Sequence, residues 1–308
     1  QPVLLWGRDT AALAETGRQR ENARYLPGVA LPPSLQVEPV LGRALTGTRD
    51  ILACVPSRAF RELLVAVRPW LSPGARLAWA TKGFEQHTGL LPHALAREVV
   101  GPATPLAVLS GPTFASEVGA GLPTAITVAA TEPAFAADLA ARLSGARFRA
   151  YTSGDMVGVE VGGAVKNVLA IGAGISDGLR FGANTRIALI TRGLAEMTRL
   201  GVALGANPRT FVGLSGMGDL VLTCTDDQSR NRRLGLALAR GVPLDAAVRG
   251  IGQVVEGVYA AVAVGEVAAR LGLEMPICAQ VAAILAGEST PTDAVNALMA
   301  RALRPEAD

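Results

Sequence analysis

From Val157 to Ile171 the chain reads VGVEVGGAVKNVLAI, with Glu160 and Lys166 the only charges. A run that long and that apolar satisfies its own backbone as a helix, and a helix apolar nearly all round has to be buried. The rest of the chain must therefore be built around it. Lys166 is the anomaly. Burial disfavours an ammonium and lowers its pKa towards neutrality, which makes an amine a usable proton donor and acceptor. Gly162 and Gly163 lie one turn earlier on the same helix face. They leave room for another backbone or a ligand, and each costs a helix about 1 kcal/mol relative to alanine. Some packing or functional gain has to offset them. A lysine that merely snorkels out of a core helix would fit the same run.

With 308 residues, half of them hydrophobic and 18% charged, there is enough chain for two domains and a sizeable core. The net charge of +3 suits an anionic small molecule. The basic residues are scattered, with Arg230, Arg232 and Arg233 the one tight group, so a nucleic-acid partner is not expected. Cys54, Cys224 and Cys278 are odd in number and far apart, which argues against a disulfide framework or a zinc site and for a reducing compartment. The longest uncharged run, Val99 to Ser116, contains Pro102, Pro105 and Pro112, so it is not read as a membrane helix, and no integral membrane association is expected. No signal peptide is visible, so a cytoplasmic location is expected.

Residues 1–152 alternate between strand-like and helix-like segments. Val3–Trp6, Asp50–Val55, Arg76–Ala80, Leu106–Leu109, Thr124–Ala129 and Arg147–Tyr151 read as strands. Ala11–Arg24, Ser57–Val67, Leu90–Val100 and Glu132–Leu143 read as helices, the first capped by Asp9 or Thr10. Near-continuous apolar strands between helices imply a mostly parallel, doubly wound Rossmann-like sheet with ligands at its carboxyl edge. Residues 153–308 read as all-helical. A helix is expected from Thr185 to about Leu204 with Asn184 as cap, then Asn231–Ala239, Val254–Leu271, a helix from Pro276, and a capping box at Thr290–Asp293. The fold class is thus α/β plus all-α, with a cleft between two domains. The chain opens on Gln1 and directly on a strand, so an N-terminal piece is expected to lie outside this sequence.

Several residues fall where ligands bind. If Val3–Trp6 is the second strand of the Rossmann-like sheet, Arg8 falls where an arginine favours the 2′-phosphate of NADP over the ribose hydroxyl of NAD, although Asp9 adjoins it; otherwise it is an ordinary surface arginine. Lys82 follows a strand and can meet an anion or a carbonyl oxygen. Ser110–Ala115 links a strand to a helix, whose first N–H groups receive anions well. Asp219 on the GMGD turn can orient Lys166 or simply cap a helix. Ser229, Arg230 and Asn231 open a helix with polar and positive groups suited to phosphate, or form a solvated basic face. Glu256 can meet a sugar hydroxyl or merely begin a helix. Arg18, Arg20 and Arg24 read as a solvated helix face, and neither His87 nor His93 is expected to be catalytic.

Taken in order, LWGRD, RYLPG, TKGF, SGPTFA, VEVGGAVKNVLAIGAG, GMGDLVLTC, SRNRRLG and VVEG resemble the bacterial-type NAD(P)-dependent glycerol-3-phosphate dehydrogenases, from Val3 to about Leu303. The resemblance implies reduction of dihydroxyacetone phosphate to sn-glycerol 3-phosphate, a phospholipid precursor, with NADP(H) preferred, NAD(H) possible and no metal. It implies that Lys166 is the general acid and base. Substrate would be met by Lys82, Gly111, Thr113, Asp219, Ser229, Arg230 and Asn231. Cofactor would be met by Arg8, Tyr25, Lys82, Ala115, Arg230, Val254 and Glu256. A homodimer is the family's implication. The family also begins with a strand, a Gly-rich turn and a helix ahead of the strand matching Val3–Trp6, and these are the piece expected to be missing. A relative of the 6-phosphogluconate or ketopantoate type would share the two-domain plan, but SRNRR and GMGDL favour the first reading. A cofactor-deficient regulatory protein is the other class, supported only by the absent Gly-rich turn.

Overall fold

The computed structural model describes residues 2–302 and 305; Gln1 and Leu303, named above, lie outside them. The first segment holds β1 (Val3–Leu5), α1 (Thr10–Gln19), β2 (Glu21–Asn22), β3 (Leu26–Ala30), β4 (Leu35–Val37) and α2 (Leu41–Leu45). β1 pairs in parallel with β4, and β2 with β3 as an antiparallel hairpin. Asp9 caps α1 by accepting the Ala12 N–H. The helix stops at Gln19 instead of running to Arg24. Arg20 turns left-handed at φ 58°, and its guanidinium bonds the carbonyls of Leu31, Pro32 and Leu35. Helix-forming residues thus give way to a tertiary contact that turns the chain into the hairpin.

The main sheet has the order β5 (Asp50–Ala53), β6 (Arg76–Trp79), β7 (Leu106–Ser110), β8 (Thr124–Ala130), β9 (Phe148–Ser153). Its pairs are parallel except β7 with β8, which is antiparallel. The strands alternate sides as the pleat requires. Leu77, Trp79, Leu106 and Val108 pack with α3 (Phe60–Val67) and α4 (Pro92–Val100), while Ala78, Ala107, Leu109 and Val128 pack with α6 (Pro133–Leu143). Helices therefore cover both faces, the doubly wound Rossmann-like arrangement. Between β7 and β8 the short α5 (Ala115–Gly119) sits at the carboxyl end of β7.

After β9 no strand follows among the described residues. The helices are α7 (Met156–Gly178), α8 (Gly182–Ala203), α9 (Asp219–Thr225), α10 (Arg230–Ala239), α11 (Leu244–Ile251), α12 (Glu256–Arg270), α13 (Pro276–Ala286) and α14 (Pro291–Met299). α7 is long and apolar enough to cross a membrane, yet 94% of its most apolar window is buried within the fold. It is the axis that the other helices surround. Asp155 caps it through the Gly158 N–H, and Thr290 caps α14 through the Asp293 N–H. Asn184 does not cap α8, which starts two residues earlier behind Phe181. α10 crosses α7 at two glycines. A Cβ on Gly174 would lie 2.1 Å from the Arg232 carbonyl oxygen, and one on Gly235 2.1 Å from that of Ile171. The backbones touch there, which draws the start of α10 close to Asn167.

Candidate active site

Lys166 leaves α7 in a buried position, and Asp219 is the first residue of α9, immediately after a π-helical turn at Leu214–Gly218. That turn reaches α7 because residue 162 is glycine: a Cβ there would lie 2.5 Å from the Ser215 carbonyl oxygen. Gly163 performs the same service for the other side, since its Cβ would meet Ser110 Oγ at 3.1 Å and Lys82 Cγ at 3.3 Å. The two glycines thus let a carboxylate and a second lysine converge on Lys166.

The result is a charge triad. Lys166 Nζ donates to Asp219 Oδ1 at 2.5 Å and to Thr223 Oγ1 at 3.0 Å. Lys82 Nζ donates to Asp219 Oδ2 at 2.6 Å and approaches the Gly111 carbonyl oxygen at 3.4 Å. An ammonium has three N–H donors, so Lys166 keeps one for a ligand. Burial pushes the Lys166 pKa down to about 8; Asp219 opposes that fall and the Lys82 charge adds to it. Burial acts to raise the Asp219 pKa, but the charges of Lys166 and Lys82 outweigh it and hold the carboxylate below its ordinary range. Two cations on one anion, in a site largely buried from water, favour a developing negative charge on a ligand.

Around the triad, Thr113 Oγ1 donates to the Gly111 carbonyl oxygen at 3.2 Å, and Ser110 Oγ is buried without a hydrogen-bond partner. Ser229 caps α10 through the Arg232 N–H. The N–H groups of Arg230 and Asn231, in the first turn, have no acceptor within the helix. Arg230 is half-buried; desolvation lowers its pKa and neighbouring Glu256 raises it. Glu256 accepts from Ser57 Oγ at 2.7 Å, joining α12 to the carboxyl end of β5. Burial raises the Glu256 pKa against the pull of Ser57 and Arg230.

The structure brings Lys82, Gly111, Thr113, Lys166 and Asp219 together, with Arg230 beside Glu256. Asn231 is different. Its side chain points inward, donating to Asn167 Oδ1 at 2.8 Å and accepting the Gly257 N–H at 2.9 Å. It therefore ties α10, α7 and α12 together, and leaves its backbone N–H and the second hydrogen of Nδ2 for an anion. Val254 is half-buried in the loop before α12, and Ala115 is exposed at the start of α5. Arg8 and Tyr25 lie outside this hydrogen-bonded cluster. Arg8 pairs with Glu62 at 3.3 Å on the surface, and Tyr25 lies beneath the Arg24 guanidinium at 5.1 Å. Thr223 and Ser57 were not singled out from the sequence. Thr223 had a signal, since it sits four residues after Asp219 on the same helix face; Ser57 had only its place after a strand.

Two family models match the chain: the NAD-dependent glycerol-3-phosphate dehydrogenase N-terminus over residues 1–136 and the C-terminus of the same family over residues 155–296. A glycerol-3-phosphate dehydrogenase [NAD(P)+] of Stenotrophomonas maltophilia is 54% identical over 305 residues, 99% of this chain and 89% of the relative. One from Alkalilimnicola ehrlichii is 56% identical over 300 residues, 97% of this chain and 90% of that one. The crystal structure of glycerol-3-phosphate dehydrogenase from Coxiella burnetii superposes with a TM-score of 0.95 at 46% identity, covering 98% of this chain and 92% of that one.

Proposed function

The chain belongs to the NAD-dependent glycerol-3-phosphate dehydrogenase family, and from that premise we propose that Lys166 gives the proton when dihydroxyacetone phosphate is reduced to sn-glycerol 3-phosphate. The observation that carries this role is the Lys166–Asp219–Lys82 triad. The carboxyl ends of β5, β6 and β7 fit the nicotinamide half of a dinucleotide, because Ser110 Oγ is buried there without a partner and Glu256 reaches the same edge. A reduced nicotinamide supplies the hydride. Everything else falls to this chain. Lys166, cationic below its pKa of about 8, meets the carbonyl oxygen, stabilises the charge that develops there and then donates its proton. Asp219 keeps both ammoniums in place. Lys82 places a second positive charge beside that oxygen, and Thr113 with Gly111 lines the same wall. Arg230, Ser229 and the first N–H groups of α10 hold the phosphate, whose binding energy positions the reacting carbon. In the reverse direction the neutral amine of Lys166 is the base.

Glu256, Val254 and Ala115 meet the nicotinamide half, and Arg8 with Tyr25 the adenosine end. NADP is the preferred cofactor. Asp9 is already engaged as the cap of α1, and Arg8 is held only by an exposed ion pair that a 2′-phosphate can displace. The product feeds glycerophospholipid synthesis. The protein works in the cytoplasm as a homodimer. Its three free thiols suit a reducing compartment, and the exposed apolar side chains of Phe181 and Ile187 at the start of α8 suit a subunit contact. The functional test is oxidation of NADPH, and of NADH, with and without dihydroxyacetone phosphate. Substrate-dependent oxidation faster with NADPH supports the reading, and none with either cofactor refutes it.

A further inference from the structure

Glu160 is a carboxylate with no place in that chemistry. It is 3% exposed, and it sits on α7 six residues before Lys166. Its Oε1 accepts from Trp79 Nε1 at 3.2 Å and from the His93 backbone N–H at 2.9 Å. Its Oε2 lies 2.6 Å from His93 Nδ1. One side chain of α7 thus grips β6 and the first turn of α4. Trp79 in turn lies three residues before Lys82. Polar contacts therefore join α7 to β6 and the loop after it at two places: at Trp79–Glu160, and again where Lys82 and Lys166 share Asp219. The joints on α7 are about 9 Å apart along the helix axis.

Resting on the functional reading above, we propose that Glu160 is a positioning residue: it docks α7 on the sheet so that Lys82 reaches Asp219 beside Lys166. The apolar cluster that α7 shares with the sheet and α4, Met156 and Val159 with Trp79, Leu95 and Leu106, is non-directional and does not fix how far α7 slides or turns. The hydrogen bonds at Glu160 do. Without them, the Lys82 joint rests on one long lysine stem and gives way. Asp219 lies on α9, which packs on α7, and so stays with Lys166 while Lys82 withdraws. The charged and titratable groups facing Lys166 are Asp219, Lys82 and the Cys224 thiol, with neutral Thr223 completing its contacts. Losing Lys82 removes the one cation among them, so Lys166 holds its proton more strongly.

The test compares Glu160→Ala, Glu160→Gln and Trp79→Phe with the wild type. The reactivity of Lys166 towards acetic anhydride is titrated against pH and read by mass spectrometry, beside kcat and KM. Glutamine accepts from Trp79 and from the His93 N–H, and its amide donates to His93 Nδ1 in the tautomer that carries the ring hydrogen on Nε2. It is expected to keep both kcat and the Lys166 midpoint. Alanine is expected to lower kcat roughly 10–100-fold, the scale of a small misplacement at a reacting centre, with little change in KM, and to move the Lys166 midpoint upward. Trp79→Phe shifts both in the same direction by less. A Glu160→Ala protein that only melts earlier, with wild-type midpoint and kcat, overturns the proposal. So does a Gln variant as impaired as the Ala variant. If the Ala variant does not fold, an unchanged midpoint in Trp79→Phe is the overturning result. The labelling needs no substrate, so it judges Glu160 separately from wild-type turnover of dihydroxyacetone phosphate, which judges the functional reading.

Discussion

Replacing Asp219 with asparagine removes one charge and hardly any volume from the centre of the site. In the wild type the carboxylate holds Lys166 at 2.5 Å and Lys82 at 2.6 Å, with only 2% of its surface exposed. Stripping one partner from a buried ion pair costs about 3–5 kcal/mol if the other must stay charged. Lys166 avoids that penalty by releasing its proton, because desolvation already favours the amine and the carboxylate charge that opposed it is gone. Its pKa should then fall from about 8 to the value of a buried lysine without a counter-ion, roughly 6. At pH 7 the protonated fraction drops from about nine-tenths to about one-tenth, so reduction slows about tenfold at saturating substrate. Reduction needs the ammonium, so its rate in the wild type declines as pH rises through about 8, and in Asp219→Asn it declines through roughly 6. Oxidation needs the amine, so it loses less at neutral pH than reduction does. The assay is kcat in both directions from pH 5 to 9, with circular dichroism to establish folding. A variant whose reduction profile keeps its midpoint near 8, or moves it upward, refutes the argument.

Arg230→Ala removes a cation that would make charge-assisted bonds to phosphate, and about 1.5–3 kcal/mol should be lost from kcat/KM, roughly 10–150-fold. Unphosphorylated dihydroxyacetone should be a very poor substrate of the wild type, and Arg230→Ala should leave that poor rate little changed; comparable efficiency for the two ketones would remove the phosphate assignment. Arg8→Ala should raise KM for NADPH and leave KM for NADH nearly unaltered, since only the former carries the 2′-phosphate; equal effects on both would disconnect Arg8 from that phosphate. Gly235→Ala puts a Cβ 2.1 Å from the Ile171 carbonyl oxygen, and denaturant unfolding should show a loss of about 1–3 kcal/mol from overpacking. An unchanged midpoint would mean that the α7–α10 contact is looser than described.

The buried axis was legible because its signal is local. Fifteen residues with two charges admit few other readings, and the paired glycines signal a close approach without identifying its partner. Lys166 and Asp219 stood out in the same way, each as a charge in an unusual place. Lys82 stands out only by its place after a strand; its bond to Asp219 is not legible, because it spans 137 residues of sequence and depends on how α7 lies on the sheet. In sequence Asn231 suits either a phosphate contact, which the family resemblance favours, or a solvated face. Its side chain also bonds Asn167 and the Gly257 N–H, which only the α7–α10 crossing brings near. The end of α1 and the start of α8 differ from the sequence expectation for related reasons. Arg20 is a good helix former whose side chain is captured by a distant loop, and α8 begins at Gly182, before the residue that resembled a cap. His93 and Glu160 are ordinary residues in sequence and acquire their meaning only from the packing of α4 against α7.

The most direct test sets Lys166→Ala beside the wild type, measuring oxidation of reduced cofactor by dihydroxyacetone phosphate together with cofactor binding by fluorescence. The wild type should turn over, and the variant should bind cofactor yet lose at least about 10²-fold in kcat, the lower bound for removing a general acid. A variant within a few-fold of the wild type would show that the proton comes from elsewhere and that the triad is structural.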